Sequence, residues 1–157
     1  METRFENLPR VRVHRRPGAR LPERATPGSA GLDVCACLPP DTVINIPPGE
    51  RIAVPTGLSF EIPEGYFISI RPRSGLALKQ GITLPNTPAT IDSDYRGELM
   101  VILMNAGSET ARIEHGDRIG QLLLERSVNF EWEELKTPAD QNGTERGAGG
   151  FGSTGLA

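Results

Sequence analysis

The sequence is poor in the residues on which several classes of protein depend. Among its 157 residues there are only two cysteines, two histidines and one tryptophan. Cys35 and Cys37 are separated by one residue, so they do not form the C-x-x-C motif of a redox or zinc site. We expect them to be free thiols of a reducing compartment. His14 and His115 are too few for a histidine-rich zinc site, and we expect both on a strand or turn surface.

Charge and hydrophobicity exclude further classes. No uninterrupted apolar run is long enough to cross a bilayer. The net charge of −3 disfavours a generally basic nucleic-acid binder. Arginine carries almost all of the positive charge, and the arginine-rich segment 4–24 is expected to be a solvated strand and loop. We therefore expect a cytoplasmic protein without nucleic-acid or membrane partners.

Glycine and proline are abundant instead, at 18 and 14 residues, and this abundance disfavours a helical bundle. Short apolar or alternating runs lie between turn signals, which is typical of an all-β sandwich or barrel. The runs at 98–104 and 119–124 are continuously apolar over several residues, which fits burial on both faces or against another subunit. The pattern predicts strands at Val11–His14, Val43–Ile46, Arg51–Val54, Leu58–Ile62, Tyr66–Ile70, Glu98–Met104, Ala111–Glu114, Ile119–Leu124 and Val128–Trp132.

One segment breaks the β pattern. The residues from Ser74 to Gly81 predict a single short helix, with Ser74 as a potential N-cap and Gly81 closing it. Arg71 and Arg73 precede this helix. Unsatisfied N–H groups between two arginines favour an anion, although a solvated surface helix fits the same residues.

Two other segments carry chemistry-bearing side chains. Asp92 and Asp94 lie near a turn, where paired acids can be metal ligands, a general base or simply a solvated turn. The residues from 136 onward have the composition of a disordered tail. Their glycines, together with Arg146 and Phe151, could also cradle phosphates and stack on a flat ring.

Five segments together resemble, in order, the five motifs of the homotrimeric dUTPase family. Each is weak or moderate alone, but all five in order across almost the whole chain are highly specific. The segments are Ala30–Val34, Arg71–Ala77, Ile91–Glu98, Arg118–Leu122 and Arg146–Gly155. The resemblance implies an all-β, jelly-roll-like β-barrel with one short helix that assembles as a homotrimer. Residues 1–135 would form the barrel domain, and residues 136–157 a flexible glycine-rich arm that closes over the nucleotide.

The resemblance also implies an activity, the hydrolysis of dUTP to dUMP and pyrophosphate by water attack at the α-phosphorus. Mg²⁺ would be carried on the substrate triphosphate, and each active site would be shared between subunits. This reaction keeps uracil out of DNA and supplies dUMP for dTMP synthesis. Asp92 matches the catalytic carboxylate, which acts as general base. Asp33 resembles a residue that supports the water shell of the metal, and no direct protein ligand is expected.

The remaining site residues are carried over from the same motifs. Tyr95 matches the aromatic that packs on the deoxyribose and excludes a ribose 2′-OH, and Asn86 and Ile91 lie where uracil would be read. In the arm, Phe151 would cover the uracil ring, with Gly152 beside it. The matches to phosphate contacts are Arg73, Ser74, Gly75 and Gln121 on the barrel, and Arg146, Ser153 and Thr154 on the arm.

Two alternatives and one departure from the family pattern are considered. A dCTP deaminase-like relative would share the barrel, but it would carry a catalytic Glu where Ile102 stands, a Ser at Gly75 and an Arg at Leu78. A non-catalytic nucleotide-sensing trimer is disfavoured because all five motifs are intact. Ala89 stands where many dUTPases have Gly, which changes nothing if the backbone is extended there.

Overall fold

The computed structural model describes residues 8–137 and 143–149. Within these residues the chain forms eleven β-strands and one short helix, which confirms the predicted all-β class with a single helix. The helix is α1 (Ser74–Gln80). The strands are β1 (Arg12–Arg15), β2 (Leu32–Cys35), β3 (Val43–Ile46), β4 (Arg51–Pro55), β5 (Leu58–Glu61), β6 (Tyr66–Arg71), β7 (Ile82–Thr83), β8 (Ala89–Ile91), β9 (Met100–Asn105), β10 (Ala111–Glu114) and β11 (Arg118–Arg126).

All strand pairings are antiparallel and most join strands that are distant in the sequence. The largest sheet has the order β2-β11-β6-β8, and a second sheet has the order β4-β9-β7. The pairs β1-β5 and β3-β10 complete the arrangement. Because neighbouring strands are rarely consecutive, the chain crosses repeatedly between sheets, as in jelly-roll architectures. The four-stranded sheet positions most of the predicted site residues.

The core lies between the two larger sheets. Ile68 and Ile70 of β6 and Ile119 of β11 pack in one cluster with Val101 and Leu103 of β9, and all five are essentially inaccessible to solvent. Burial along β9 alternates, so the apolar residues at its intervening positions stay partly exposed. The continuous apolar run is therefore buried on one face within a single chain.

The buried polar groups of the core are hydrogen-bonded. The side-chain amide of Asn105 donates to the carbonyls of Ile46 and Glu109, both at 2.7 Å, and its Oδ1 accepts from the N–H of Gly107 at 2.9 Å. In the described part of the chain no buried side-chain polar atom lacks a partner. These bonds join β9 to the end of β3 and to the loop before β10, which limits the desolvation penalty of burying an amide.

The strand predictions differ from the structure in two ways. The short strands β2, β7 and β8 are missing from the predictions, because two to four residues with a polar member give little periodicity. The strand predicted at Val128–Trp132 is wrong, since this segment pairs with no strand among residues 8–137 and 143–149. Its apolar side chains are instead exposed, by 79% at Val128, 68% at Phe130 and 89% at Trp132. Alternation of apolar and polar residues is typical of a strand, but a strand also requires a hydrogen-bonded partner strand.

The helix prediction is right in extent and wrong at its first residue. Ser74 is the first helical residue, and Arg73 occupies the N-cap position without a side-chain hydrogen bond to the helix. Gly81 closes the helix as predicted, in the left-handed conformation with φ 68°. A Cβ at Gly81 would collide with the backbone of Gly107, so this position requires glycine for both conformation and space.

The predictions for cysteine and histidine are confirmed. Cys35 and Cys37 are free and buried. His14 is exposed on β1, and His115 is exposed in the turn after β10, where its Nδ1 accepts a hydrogen bond from the Leu38 N–H at 3.2 Å. Among the described residues, no helix has the length and apolarity that a membrane crossing requires.

A pair of leucine truncations tests the core. Leu103 is fully buried, whereas Leu78 on α1 is 88% exposed. We expect Leu103→Ala to lower the free energy of unfolding by about 2–5 kcal/mol, because it leaves a cavity, and Leu78→Ala to change it by less than about 0.5 kcal/mol. Urea unfolding followed by circular dichroism measures both, and equal losses would contradict the assignment of the core.

Candidate active site

An ion triad of one acid and two arginines lies at one edge of the four-stranded sheet. Asp33 is buried on β2, and its Oδ1 accepts a hydrogen bond from Arg73 Nε at 3.1 Å. Its Oδ2 accepts from Arg118 Nη1 at 3.3 Å. Arg73 Nη1 also donates to the carbonyl of Arg118 at 3.3 Å. Two guanidinium groups against one carboxylate leave a net positive charge, which suits an anionic ligand.

Strand register places the other phosphate candidates beside this triad. Gln121 on β11 lies directly opposite Asp33 on β2, and a Cβ at Gly31 would come within 3.2 Å of the Gln121 Cβ. Ser74 and Gly75 follow Arg73 at the start of α1 and are exposed. The structure thus brings together five of the predicted residues. They are Asp33, Arg73, Ser74, Gly75 and Gln121.

Arg118 belongs to the ion triad, although the sequence analysis gave it no role. Regular alternation along β11 would place Arg118 and Gln121 on opposite faces of the sheet, because they are three residues apart. The register shifts between Arg118 and Gly120, and this bulge lets the Arg118 side chain reach Asp33 on the face that also carries Gln121. Its position at the start of the fourth motif is the only signal that the sequence offers.

Arg71 does not flank the helix as a free cation, contrary to the expectation of two arginines around an anion. Its Nη2 donates to Glu125 Oε1 at 2.9 Å, and the Ser69 hydroxyl donates to the same oxygen. The hydrogen bond from Ser69 and, as a smaller effect, the hydrogen bond from Arg71 lower the pKa of the Glu125 carboxyl. Glu125 thus neutralises Arg71, whereas Arg73 belongs to the triad.

A second group of site residues surrounds the turn after β8. The N–H of Tyr95 donates to the Asp92 carbonyl at 3.2 Å, and the Tyr95 hydroxyl donates to the Glu98 carbonyl at 3.0 Å. A Cβ at Gly97 would collide with the Tyr95 ring, so glycine is needed for this close approach. Arg96 Nη1 adds a bond to the Ser93 carbonyl at 2.7 Å. The backbone and ring of this turn are therefore well fixed.

Asp92 itself presents its carboxylate to solvent. The residue is exposed and lines an open cavity of about 660 Å³ with Tyr66, Phe67 and Thr90. No side chain or N–H group in the described part of the chain donates a hydrogen bond to this carboxylate. A carboxylate fixed by its backbone and free at its oxygens can accept a proton from a water molecule.

The predicted uracil-reading residues lie around β8. Asn86 is exposed in the turn before β8, where the Thr87 N–H donates to the Leu84 carbonyl at 3.2 Å. Ile91 is half-buried and pairs with Ile68 of β6. Ala89 is part of β8 in an extended conformation, so alanine in place of the usual glycine costs no backbone strain.

The two groups lie at opposite edges of the sheet within one chain. Asp33 is on the first strand of the order β2-β11-β6-β8, and Asp92 follows the last. Three strand spacings separate them by roughly 14 Å. Gln121 pairs with both Asp33 and Arg71, so Asp33 is level with Arg71 along the strands. Asp92 follows Ile91, which pairs with Ile68, so Asp92 is level with a position about four residues from Arg71 on β6. This offset along the strands is roughly 13 Å, at right angles to the first separation. One chain alone therefore keeps the triad and Asp92 too far apart to act on one phosphate.

The arm residues are only partly described. Arg146 is exposed in a turn of residues 144–149, and its Nε donates to the Gly149 carbonyl at 2.8 Å. The predicted contacts Phe151, Gly152, Ser153 and Thr154 lie outside the described residues.

The side chains near the triad indicate how the protein could contact the expected Mg²⁺. Residues 8–137 and 143–149 contain no cluster of three or more His, Cys, Asp or Glu side chains suited to hold a metal ion. Each Asp33 oxygen accepts one arginine bond and keeps a further lone pair. Asp33 therefore fits a contact to metal-bound water, and Mg²⁺ commonly keeps several of its waters.

Comparison with known sequences decides the family. A sequence profile of the dUTPase family matches residues 18–155. The chain belongs to the dUTPase family. It is 50% identical over 136 residues to the deoxyuridine 5′-triphosphate nucleotidohydrolase of Desulfotalea psychrophila, covering 87% of each chain. It is 51% identical over 145 residues to the enzyme of the same name from Fusobacterium nucleatum, covering 92% of this chain and 96% of the relative.

Solved dUTPases have the same fold. A dUTPase mutant of Staphylococcus bacteriophage 80alpha, solved with dUpNHpp, superposes with a TM-score of 0.81 at 24% identity, covering 94% of this chain and 99% of the other. A dUTPase of the S. aureus phage phi11, described with a structural Mg(II) ion, gives a TM-score of 0.72 at 22% identity over 82% of this chain and 98% of the other. These likenesses confirm the predicted barrel fold of the dUTPase family.

The lowered pKa of Glu125 in the Ser69–Glu125–Arg71 cluster predicts a contribution to stability that depends on pH. Because the pKa of Glu125 is lowered on folding, its contribution is present above the pKa of an unfolded glutamate and is lost as pH falls through the folded pKa. We expect the free energy of unfolding to fall less steeply below about pH 5 in Glu125→Gln than in the wild type. Urea unfolding at several pH values measures this. Glu50→Gln, at an exposed side chain without a described hydrogen bond, is the control and should follow the wild type.

Proposed function

We propose that this dUTPase-family chain hydrolyses dUTP to dUMP and pyrophosphate by attack of water on the α-phosphorus. Family membership and the name of the two relatives at about half identity support the substrate. The observation that carries the chemistry is the Asp92 carboxylate, which is exposed on a fixed turn and free to accept a proton. As general base it would hold the water and take its proton during attack.

The ion triad would bind the triphosphate. Arg73, oriented by Asp33, would face the phosphate oxygens, with the N–H groups of Ser74 and Gly75 at the free start of α1 and the amide of Gln121 beside it. Phosphoryl transfer depends mainly on positioning and on stabilising charge, and fixed donors supply both. Mg²⁺ on the substrate would neutralise part of the triphosphate charge, and Asp33 would accept hydrogen bonds from its waters.

The turn around β8 would select the nucleoside. The Tyr95 ring, tied to the Glu98 carbonyl, would pack on the deoxyribose and leave no room for a 2′-OH. Asn86, Ile91 and the backbone between them would read uracil and exclude cytosine. Rejecting a thymine methyl by an apolar pocket alone is worth only about 1–3 kcal/mol, so a rigid backbone wall has to contribute the rest.

The active site would be assembled from several chains of a homotrimer. The separation of Asp92 from the triad within one chain supports this, because one triphosphate cannot span both. The exposed apolar side chains of Val128, Phe130 and Trp132 supply surface for such an interface. Residues 136–157 would form an arm that closes over the nucleotide, excludes water and brings Arg146 and the residues 151–154 to it.

The dCTP deaminase alternative requires a catalytic glutamate on β9. This strand runs from Met100 to Asn105 without an acidic residue, and Ile102 occupies the relevant position. A non-catalytic trimer is likewise disfavoured by the unobstructed Asp92 carboxylate. We also propose a cytoplasmic location, which the two unpaired, buried thiols suit.

Substitution of Asp92 tests the proposed reaction. Pyrophosphate release from dUTP is measured with dCTP and dTTP as substrate controls, and ammonia release from dCTP as the test for deamination. We expect Asp92→Asn to lower kcat by about 10²–10⁴-fold while nucleotide binding persists, because only the proton acceptor is lost. Asp94→Asn, two residues along the same exposed turn, is the matched control and should retain turnover. Unchanged turnover in Asp92→Asn would remove this residue from its role.

Truncation after Gln141 tests the arm. We expect at least a ~100-fold loss of turnover, because the phosphates and base lose their late contacts. The circular dichroism spectrum of the truncated protein should match that of the full chain. Both proteins should sediment as trimers, the full chain with a mass close to three times its 17.0 kDa and the truncated one with a mass lower by the residues removed. A truncated protein that fails to assemble would contradict the role of the arm as a lid.

A further inference from the structure

The arginine-rich N-terminal segment, which the proposed reaction leaves without a role, lines a cavity of about 370 Å³. Arg15 comes from the end of β1, and Arg20 and Arg24 come from the loop that follows. Arg118 of β11 closes the cavity from the side of the triad. The acids that line it are Glu23 and Asp33, so arginine is in excess.

The positive charge of this arginine cavity is only partly compensated. In the described part of the chain, the guanidinium groups of Arg15 and Arg20 have no hydrogen bond or ion pair. Arg24 donates only to the neutral carbonyls of Ser29 and Ala30. The Asp33 carboxylate, which lines the cavity, is paired with both Arg118 and Arg73, and Arg73 lies outside the cavity. Such a site favours an anion that can accept several guanidinium hydrogen bonds.

Gly116 and Cys35 form part of the cavity wall beside Arg20. Gly116 has φ 86°, and a Cβ there would lie 3.1 Å from Arg20 Nη2, so the guanidinium rests against the glycine backbone. The Cys35 thiol lies in the wall, and burial raises its pKa despite the opposing effect of Arg20. The thiol is therefore neutral near pH 7 and offers the arginines no charge. The contact with Gly116 places the Arg20 guanidinium at the wall of the cavity.

We propose that the arginine cavity binds a multivalent phosphate anion through Arg15, Arg20 and Arg24, beside the ion triad, with which the cavity shares Asp33 and Arg118. Arg73, Ser74 and Gln121 do not line it, and its volume falls in the range of about 300–1,000 Å³ typical of small-molecule sites. The phosphate chemistry is shared by free pyrophosphate and by a nucleoside monophosphate. Arg118 joins the cavity to the triad, so a bound anion competes with Asp33 for this guanidinium. This coupling to turnover rests on the proposed function, whereas the binding does not.

Calorimetric titration with sodium pyrophosphate tests the cavity in the full-length chain. A saturating non-hydrolysable dUTP analogue first occupies the proposed active site. We expect Arg20→Gln to weaken pyrophosphate binding about tenfold or more, since one charge-assisted contact is lost. Arg112→Gln is the matched control, because this exposed arginine on β10 pairs with Glu114 and does not line the cavity. It should bind as the wild type does. Arg15→Gln repeats the test at a second arginine of the cavity lining.

A parallel titration with dUMP separates the two sources of phosphate. Binding of either ligand that depends on Arg20 supports the proposal and identifies its source. Absence of binding for both ligands, or binding that Arg20→Gln leaves unchanged, overturns it. If the analogue itself fails to bind, the proposed function fails, and the Arg20→Gln comparison without analogue still decides the cavity.

Discussion

The ion triad of Asp33, Arg73 and Arg118 is the interaction on which the site depends. A carboxylate that is 8% exposed has to be paired, because an isolated buried charge is strongly destabilising. Its partners come from the start of α1 and the start of β11, so the triad ties two elements to β2. The same contacts leave one positive charge in excess. A structural requirement, the pairing of a buried acid, thus also prepares a surface for phosphate.

Sheet geometry then separates the chemistry of the protein into two parts. The order β2-β11-β6-β8 carries the triad at one edge and the Asp92 turn beyond the other. Each part is well fixed, the first by ion pairs and the second by backbone bonds and the contact of Tyr95 with Gly97. The proposed hydrolysis uses both parts, so the proposal includes an active site assembled from several chains. The apolar side chains of the segment 128–132 are exposed in the single chain, and the proposed assembly would cover them.

The local sequence pattern predicted most of the strands but not their pairing or the partners of their side chains. Runs such as Val43–Ile46 and Ala111–Glu114 match the observed strands because their turn signals and alternation are strong. Val128–Trp132 has equal alternation and no partner, so no strand forms there within the chain. Arg71 and Arg73 look equivalent in sequence, two residues apart. Arg71 pairs with Glu125 across β6 and β11, whereas Arg73 leaves the strand and turns to Asp33.

The sequence by itself determined the all-β class, the short helix, the family through its five motifs, and the identity of the acid proposed as general base. These are properties of neighbouring residues and their order. Only the tertiary structure decided the pairing of Arg118 with Asp33, the neutralisation of Arg71 and the gathering of N-terminal arginines around one cavity. Each joins residues distant in the sequence, and a bulge in β11 sets the direction of Arg118. Antiparallel register and side-chain burial, which no local pattern encodes, are the physical reason.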